Sequence, residues 1–168
     1  MPDSSFDSAI GPGPINPLVR PAQPYEIALL EALDDDCFPL SDPVAQRARP
    51  GEIAAGVTAG RITVAICDGR IAGFIHSSPQ GEHGTFVENI AVAPDMRGWG
   101  IGRILLDAVL VEAETADRDE LVTCTVAPSN IASLALFVGR DFAVVSFLPA
   151  YYGPGKDRLW LERVRPAI

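Results

Sequence analysis

A glycine-rich turn stands between a strand-like run and the most apolar helical run of this chain. Residues 97–103 read Arg-Gly-Trp-Gly-Ile-Gly-Arg, and Ile101–Ala116 is apolar on much of its surface. Glycine tolerates positive φ, so successive backbone N–H groups can point to one side of such a turn. The helix that begins there adds a partial positive charge. The chain must therefore place a strand, a tight turn and a buried helix in succession, and the turn is a candidate phosphate cradle.

Two common phosphate-binding motifs do not fit this turn. The dinucleotide motif has glycine at its first, third and sixth positions, but the sixth is Arg103 counted from Gly98 and Leu105 counted from Gly100. A P-loop needs Gly-Lys followed by Ser or Thr, and the sequence contains no such triplet. A turn that only connects two elements is the structural alternative.

Hydrophobic periodicity predicts the element order β–α–α–β–β–β–α–β–α–β–β. The expected strands are Leu18–Arg20, Arg61–Cys67, Ile71–Ser77, Thr85–Val92, Glu120–Val126, Phe142–Leu148 and Arg158–Arg163. The expected helices are Tyr25–Asp36, Pro43–Val57, Ile101–Ala116 and Asn130–Arg140. Because hairpin strands precede alternating strand and helix units, we expect an α/β fold with a mixed sheet and helices on both faces.

The length of 168 residues fits one domain. Residues 1–16 are rich in Pro, Gly, Ser and Asp without an apolar period, which predicts a flexible N-terminal arm. Residues 17–168 are the expected single domain.

The net charge and the hydropathy of the chain limit the classes of partner that it is expected to bind. Thirteen Lys and Arg against 22 Asp and Glu give a net charge of −9, which disfavours nucleic acid and suits a cationic small molecule or peptide. Acidity that only favours solubility is the alternative. The sequence has no run of about 18 apolar residues and no signal pattern at its N-terminus, so we expect no membrane partner.

The three cysteines, Cys37, Cys67 and Cys124, are widely spaced and form no CxxC pair. Their number and spacing suit a reducing cytoplasm, where we expect the protein, and no His, Cys and carboxylate set has metal-ligand spacing. Cys67 and Cys124 lie in apolar runs and are expected in the core, with a catalytic thiol as the alternative for any of the three.

Three segments in sequence order resemble the GNAT N-acetyltransferase superfamily. The turn has that family's Arg-x-x-Gly-x-Gly pattern at Arg97, Gly100 and Gly102. Residues 88–94 (ENIAVAP) are similar to its fourth strand, and residues 130–142 (NIASLALFVGRDF) to its later Asn…Ala-x-x-Leu-Tyr…Gly-Phe segment. The resemblance covers about Leu18 to Arg163. It implies a mostly antiparallel sheet of about seven strands and acetyl-CoA as co-substrate, with no metal.

The resemblance also implies which residues bind acetyl-CoA. The backbone of Ile90, Ala91 and Val92 would pair with the pantetheine arm like an added strand. Asn130 would either reach the cofactor or cap its helix, and Phe137 would lie beside the cofactor. The pyrophosphate would be held by Arg97, Gly98, Trp99, Gly100, Ile101, Gly102 and Arg103.

The family generally transfers acetyl groups by direct attack of an amine. The amine must lose a proton, and Glu88 is the residue expected to take it, directly or through water, because several relatives carry a carboxylate there. A structural or substrate-orienting carboxylate is the alternative. Strand alternation would put Phe86, Glu88 and Ile90 on one face unless a bulge intervenes. The Val92 N–H is the expected donor to the developing oxyanion.

The chain departs from the family pattern at the general acid. Phe137 occupies the position where many relatives carry a tyrosine, and Asp141 replaces the glycine before the final aromatic residue. Tyr151 and Tyr152 are the expected substitutes, with a packed aromatic pair or a pocket wall as the alternative. His83 is a weaker candidate for the acid, and His76 is expected to be an ordinary strand residue.

The expected function is transfer of an acetyl group from acetyl-CoA to a primary amine of a small molecule or a peptide. The tyrosine pair before a glycine is similar to peptide N-terminal acetyltransferases, which favours a peptide acceptor without excluding a small amine. The alternative, motivated by Phe137, is a catalytically weak acyl-CoA-binding module that senses or recruits. Oligomeric state stays open, with a homodimer as one option.

Overall fold

The computed structural model of the chain describes residues 15–82, 84–115 and 121–163. Its strands are β1 Leu18–Pro21, β2 Ile62–Cys67, β3 Arg70–Pro79, β4 Gly84–Val92, β5 Leu121–Val126, β6 Phe142–Leu148 and β7 Arg158–Arg163. Its helices are α1 Ile27–Cys37, α2 Glu52–Thr58, α3 Ile101–Thr115 and α4 Ile131–Val138. Short 3-10 turns at Pro24–Glu26 and Pro94–Met96 precede α1 and α3. The predicted element order is confirmed.

Within the described residues, the seven strands form one sheet in the order β1-β2-β3-β4-β5-β7-β6. The pairing of β4 with β5 is parallel, and the other five pairings are antiparallel. The expected mixed, mostly antiparallel sheet is therefore confirmed. The hairpin between β2 and β3 turns at Asp68 and Gly69, whose φ angles of +50° and +75° match a two-residue hairpin turn.

Helices cover both faces of the sheet and form two hydrophobic cores. The α3-side core joins the buried face of α3 to Ala65, Ala72, Ile75, Val87, Val122 and Leu161, among others. The α1-side core joins α1 and α2 to residues such as Val64, Phe74 and Ala91. Helix α3 is buried at Ile101, Leu105, Leu106, Val109, Leu110 and Ala113, a spacing that points one broad face at the sheet.

The second predicted helix was too long. We expected Pro43–Val57, but α2 begins only at Glu52, and residues 43–51 form turns and irregular structure. Pro50 restricts the residue before it, and Gly51 at the helix start has a φ of +80°, outside the right-handed helical region. These two residues separate the irregular segment from the helix.

Most of the predicted N-terminal arm, residues 1–14, lies outside the described residues. Ile15, which we expected within the arm, already packs against the α3-side core. The packed part of the chain therefore includes at least one residue that the composition assigned to the arm.

Candidate active site

Strand β4 contains a bulge at Glu88. Ser77 pairs with Val87 and His76 pairs with Asn89, so Glu88 is the extra residue on β4. The bulge reverses the alternation of side chains along the strand. Phe86, Glu88 and Ile90 therefore do not share one face.

The two sides of the bulge show this reversal in their contacts. Phe86 stacks on Trp160, with ring centroids 5.7 Å apart. Ile90 instead packs against the α3-side core, together with Val87. The common face of Phe86, Glu88 and Ile90 was expected only in the absence of a bulge, and the bulge removes it because regular alternation does not continue through the extra residue.

Strands β4 and β5 separate just beyond the bulge. Their parallel ladder runs from Gly84 to Val87, opposite Leu121 to Cys124. On the other side of β4, the Ala93 N–H donates to the Ala72 oxygen at 2.9 Å. Antiparallel ladders alternate, so Ala91 directs its backbone groups at β3, whereas those of Ile90 and Val92 face the opening. Two of the three predicted strand residues thus present backbone groups to the gap.

Three adjoining cavities follow this opening across the molecule. The turn cavity, of about 770 Å³, lies at the start of α3. The middle cavity, of about 390 Å³, lies between β4 and β5. The outer cavity, of about 320 Å³, lies against Trp160. Ile90 and Asn130 line both the turn and middle cavities, while Glu88 and Tyr152 line both the middle and outer ones. The three cavities therefore adjoin one another in this order, and together, as the channel, they could hold two reactants end to end.

The predicted glycine turn forms one end of this channel. Gly98 and Gly100 have φ angles of +81° and +82°, which few other residues adopt without strain. Gly100 accepts the hydrogen bond of the Ile104 N–H at 3.1 Å, so α3 starts here and its first N–H groups are left for other partners. The turn cavity is lined by Arg97, Gly98, Gly100, Ile101, Gly102 and Arg103. The Trp99 side chain is partly exposed beside the turn and is not part of that lining.

Asn130 and Phe137 come from α4 and its cap. The Ser133 N–H donates to the Asn130 side-chain oxygen at 3.1 Å, so Asn130 caps the helix, and it also borders two cavities. Phe137 lines the middle cavity and contacts Phe142 edge to face, with centroids 5.0 Å apart. Its ring carries no proton to donate.

Glu88 is an exposed carboxylate on the wall between the middle and outer cavities. The Ser78 hydroxyl donates to its Oε1 atom at 2.5 Å, which fixes the carboxylate on the channel side of the sheet. Charge-assisted hydrogen bonds of this kind hold a carboxylate in one orientation. The position suits either proton removal from a ligand or the binding of a cation.

The two tyrosines of the β6–β7 loop differ in exposure. Tyr152 is half-buried and lines both the middle and outer cavities, with its hydroxyl 3.5 Å from the Thr125 hydroxyl. Burial raises the pKa of Tyr152 above its usual value, so the hydroxyl keeps its proton at neutral pH. Tyr151 is exposed, lines only the outer cavity and packs edge to face on Tyr152 at 4.7 Å. Tyr152 is the better-placed proton donor.

The cysteines are poor nucleophiles. Burial raises the pKa of Cys37, Cys67 and Cys124, so each favours its protonated thiol. Cys37 borders the turn and middle cavities, and its thiol donates to the Val92 oxygen at 3.3 Å. A catalytic thiol is not supported at any of the three positions.

The two histidines provide less evidence for a role in the site. His83 lies outside the described residues. His76 is buried on β3 beside the outer cavity, and burial lowers its pKa, so its ring is neutral at pH 7.

Several site residues were not predicted from the sequence. Asp34, buried on α1, accepts hydrogen bonds from the Asn89 amide at 2.7 Å and from the Ala48 N–H at 3.0 Å. It therefore ties the residue after the bulge to the irregular segment 43–51, which walls both the middle and outer cavities. Arg158 at the start of β7 is buried and lines the middle cavity. A single basic residue at the start of an apolar strand was the only sequence signal for it.

Among the residues that the structure describes, no group of three or more His, Cys, Asp or Glu side chains could hold a metal ion. None of the described helices is both long and apolar enough to span a membrane.

Comparison with known proteins adds a family and a fold. The model of the acetyltransferase (GNAT) family matches residues 27–142. Two L-2,4-diaminobutyric acid acetyltransferases are similar over part of their length: that of Nocardia farcinica is 36% identical over 80 residues, and that of Wolinella succinogenes 34% over 83 residues. Each match covers 46% of this chain but only 41% and 48% of those proteins, respectively.

Solved structures show the same architecture. The ribosomal-protein-alanine N-acetyltransferase of Brucella melitensis superposes with a TM-score of 0.75 at 21% identity. The superposition covers 88% of this chain and 99% of that one. At this level of identity the likeness shows a shared fold.

Proposed function

Because this chain belongs to the acetyltransferase (GNAT) family, we propose that it transfers an acetyl group from acetyl-CoA to a primary amine. The observation that carries the proposal is the channel in which β4 and β5 separate. Its one end is the glycine turn of α3, and its other end is the outer cavity with Glu88 and Tyr152 on the shared wall. Such a channel brings a thioester and an amine together from opposite sides.

The residues at the turn end of the channel and along β4 suit acetyl-CoA. Positive φ at Gly98 and Gly100 and the free N–H groups of α3 fit a pyrophosphate, and Arg97 and Arg103 add positive charge. The outward backbone groups of Ile90 and Val92 can bind the amides of the pantetheine arm as a neighbouring strand would. Bound acetyl-CoA supplies the activated acetyl group as a thioester.

Glu88 takes the proton that the attacking amine must lose. An alkylamine has a pKa of about 10.4 and is mostly protonated at neutral pH, so a carboxylate beside it both attracts the cation and accepts its proton. The Val92 N–H donates to the thioester oxygen, where negative charge develops. Both groups lie on β4 beyond Val87, in the part of the strand that is no longer paired with β5.

Tyr152 delivers a proton to the departing sulfur. Its raised pKa keeps the proton on the hydroxyl, and its position on the middle and outer cavities places it beside both reactants. This role replaces the hydroxyl that Phe137 cannot supply. Tyr151 is assigned to the wall of the outer cavity.

The outer cavity fits a small acceptor. Its volume of about 320 Å³ and its mixed charge, with Glu52 and Glu88 against Arg47 and Arg49, suit a small polar amine. The diamino acid in the names of the two relatives is one such compound. An extended peptide N-terminus would enter the same opening and remains the competing acceptor.

The first experiment is a thermal-shift titration with acetyl-CoA, using NAD and ATP as controls. A ligand at about 100 times its Kd stabilises the folded state by about 2.7 kcal/mol, so we expect the melting temperature to rise by several degrees with acetyl-CoA alone. Absence of a shift at millimolar acetyl-CoA would overturn the proposal.

The second experiment measures acetyl-CoA-dependent thiol release with a panel of amines: L-2,4-diaminobutyrate, 1,3-diaminopropane and an alanine-initiated peptide. We expect Glu88→Gln to lower kcat about 100-fold without weakening acetyl-CoA binding. Glu31→Gln, at an exposed position of α1 away from the cavities, is the matched control and should behave as the unmodified protein. Tight acetyl-CoA binding with no turnover on any amine would instead support the binding module.

A further inference from the structure

Arg158 is a buried cation on the wall of the channel. Its relative exposure is 5%, and it lines the middle cavity with Glu88 and Tyr152. Alternation along β7 places it on the same face as Trp160, which lines the outer cavity, whereas Leu159 packs against the α3-side core. The guanidinium therefore borders the space where the two reactants would meet.

The partners of Arg158 are all neutral. Its Nη1 atom donates to the Asp157 backbone oxygen at 2.7 Å, and its Nη2 atom donates to the Val44 oxygen at 2.8 Å. Its guanidinium carbon lies 5.0 Å from the centroid of the Tyr152 ring. None of the ion pairs found among the described residues involves Arg158.

Two carboxylates of the surrounding loops, Asp42 and Asp157, are not in ion-pair contact with Arg158. Asp42 lines the same cavity and accepts from the Val44 N–H at 3.0 Å, and Asp157 accepts from the Ala150 N–H at 2.8 Å. A buried charge without a partner of opposite sign is costly, and such charges are ordinarily paired. Arginine also has five N–H donors in a planar fork that fits a carboxylate with two parallel bonds.

Glu88 and Arg158 thus place opposite charges on the middle cavity, which adjoins the outer cavity at Glu88 and Tyr152. The Tyr152 ring lies beside the Arg158 guanidinium. Given the proposed acetyl transfer, on which this inference rests, Glu88 faces the amine of the acceptor. We propose that Arg158 binds a carboxylate of the acceptor, so that the acceptor is a free amino acid with a reactive amine. A polyamine lacks that carboxylate, and a peptide N-terminus carries an amide in its place.

The test compares acceptors that differ only in this group: L-2,4-diaminobutyrate, its carboxamide, and 1,3-diaminopropane, which lacks the carboxyl carbon. We expect kcat/KM to fall about 10- to 100-fold on removal of the carboxylate charge, the usual range for a lost charge-assisted hydrogen bond. Equal kcat/KM for the three compounds would overturn the inference and leave acetyl transfer intact.

Binding gives a readout that does not depend on turnover. Calorimetric titration of the protein with the amino acid and with its carboxamide, in the presence of CoA, should show tighter binding of the amino acid. If no acceptor is acetylated but this preference is found, the proposed function fails and the carboxylate site stands. If the amino acid binds no more tightly than the carboxamide, the carboxylate site fails whatever the turnover.

Two variants distinguish recognition of the acceptor carboxylate by Arg158 from the structural role of its hydrogen bond to the Val44 oxygen. Arg158→Gln retains a donor for the Val44 oxygen but removes the charge, and it should make the amino acid and its carboxamide equal substrates. Arg158→Lys should restore part of the preference. A purely structural role would instead lower the turnover of all three acceptors by the same factor, which would contradict the inference. If Arg158→Gln does not fold, the acceptor comparison on the unmodified protein decides.

Discussion

At the scale of single residues, the channel depends on how burial and hydrogen bonds tune a few side chains. Glu88 is exposed and held by Ser78, whereas Tyr152 is half-buried and keeps its proton. The sequence places Tyr151 and Tyr152 side by side and offers no reason to prefer either. Packing distinguishes them, because only Tyr152 lines both the middle and outer cavities.

This difference predicts unequal effects of the two conservative substitutions. Tyr152→Phe should lower kcat about 100-fold, since the proton donor to the departing sulfur is removed, while acetyl-CoA affinity is unchanged. Tyr151→Phe, the matched neighbour, should leave kcat nearly unaltered. Steady-state kinetics on the best acceptor and calorimetry with acetyl-CoA measure the two quantities.

The pH profile gives a second test of the same role. Because burial raises the pKa of Tyr152, its hydroxyl stays protonated at pH values above the usual tyrosine pKa of about 10. The alkaline fall in kcat that belongs to this group should therefore lie above that range and should disappear in Tyr152→Phe. Equal profiles for the two proteins, with equal kcat, would remove Tyr152 from the mechanism.

At the scale of elements, β4 and the turn before α3 build most of the site. The bulge redirects β4, the end of the β4–β5 ladder opens the sheet, and the turn aims the start of α3 at the opening. The irregular segment 43–51 then closes one side of the channel. It is held by Asp34, which accepts from the Ala48 N–H, and by hydrogen bonds from Lys156 and Arg158 to the oxygens of Ala45 and Val44. The site is therefore shared between distant parts of the chain.

The pyrophosphate-binding role of the glycine turn can be tested by substituting two glycines that have similar backbone conformations. Gly100 and Gly60 both have left-handed φ angles, +82° and +67°, and a Cβ at either would meet no atom within 4 Å. Gly100→Ala and Gly60→Ala should each cost about 1–2 kcal/mol of stability through backbone strain. Only Gly100 lines the turn cavity, so only its substitution should weaken acetyl-CoA binding. Calorimetric titration measures the affinity, and equal Kd values for both variants would refute the pyrophosphate assignment.

At the scale of the whole molecule, one sheet joins two cores, and the channel lies where its two halves diverge. Helix α3 both begins at the channel and supplies much of the α3-side core. The proposed acetyl-CoA end of the channel and the α3-side core therefore share one helix.

Two positions on α3 test the contribution of this core. Leu105 is fully buried, and Leu105→Ala should lower the free energy of unfolding by about 2–5 kcal/mol through lost contacts and a cavity. Val111 is 57% exposed on the same helix, and Val111→Ala should change stability by less than about 0.5 kcal/mol. Urea unfolding followed by circular dichroism measures both, and a similar loss for the two variants would contradict the assigned core.

Local patterns predicted the elements and their order well, because periodicity and turn chemistry act over a few neighbouring residues. The element order and the buried face of α3 follow from such patterns. For Asn130 the sequence left a cofactor role and a cap open, and the structure shows that it caps its helix. The extent of α2 did not, since Pro50 and Gly51 outweighed the helical spacing before them. The three segments of family resemblance added the mostly antiparallel sheet and acetyl-CoA as the expected ligand of the glycine turn.

The sequence by itself therefore determined the strands, the helices, the glycine turn and membership of a family. Tertiary structure alone decided which side chains meet. The bulge at Glu88 depends on the register between β3 and β4, and the preference for Tyr152 depends on how the β6–β7 loop packs. Arg158 lines the same cavity as Glu88 only because β7 inserts between β5 and β6 and brings its first residue to the channel. Such contacts join residues far apart in the chain, and no local spacing encodes them.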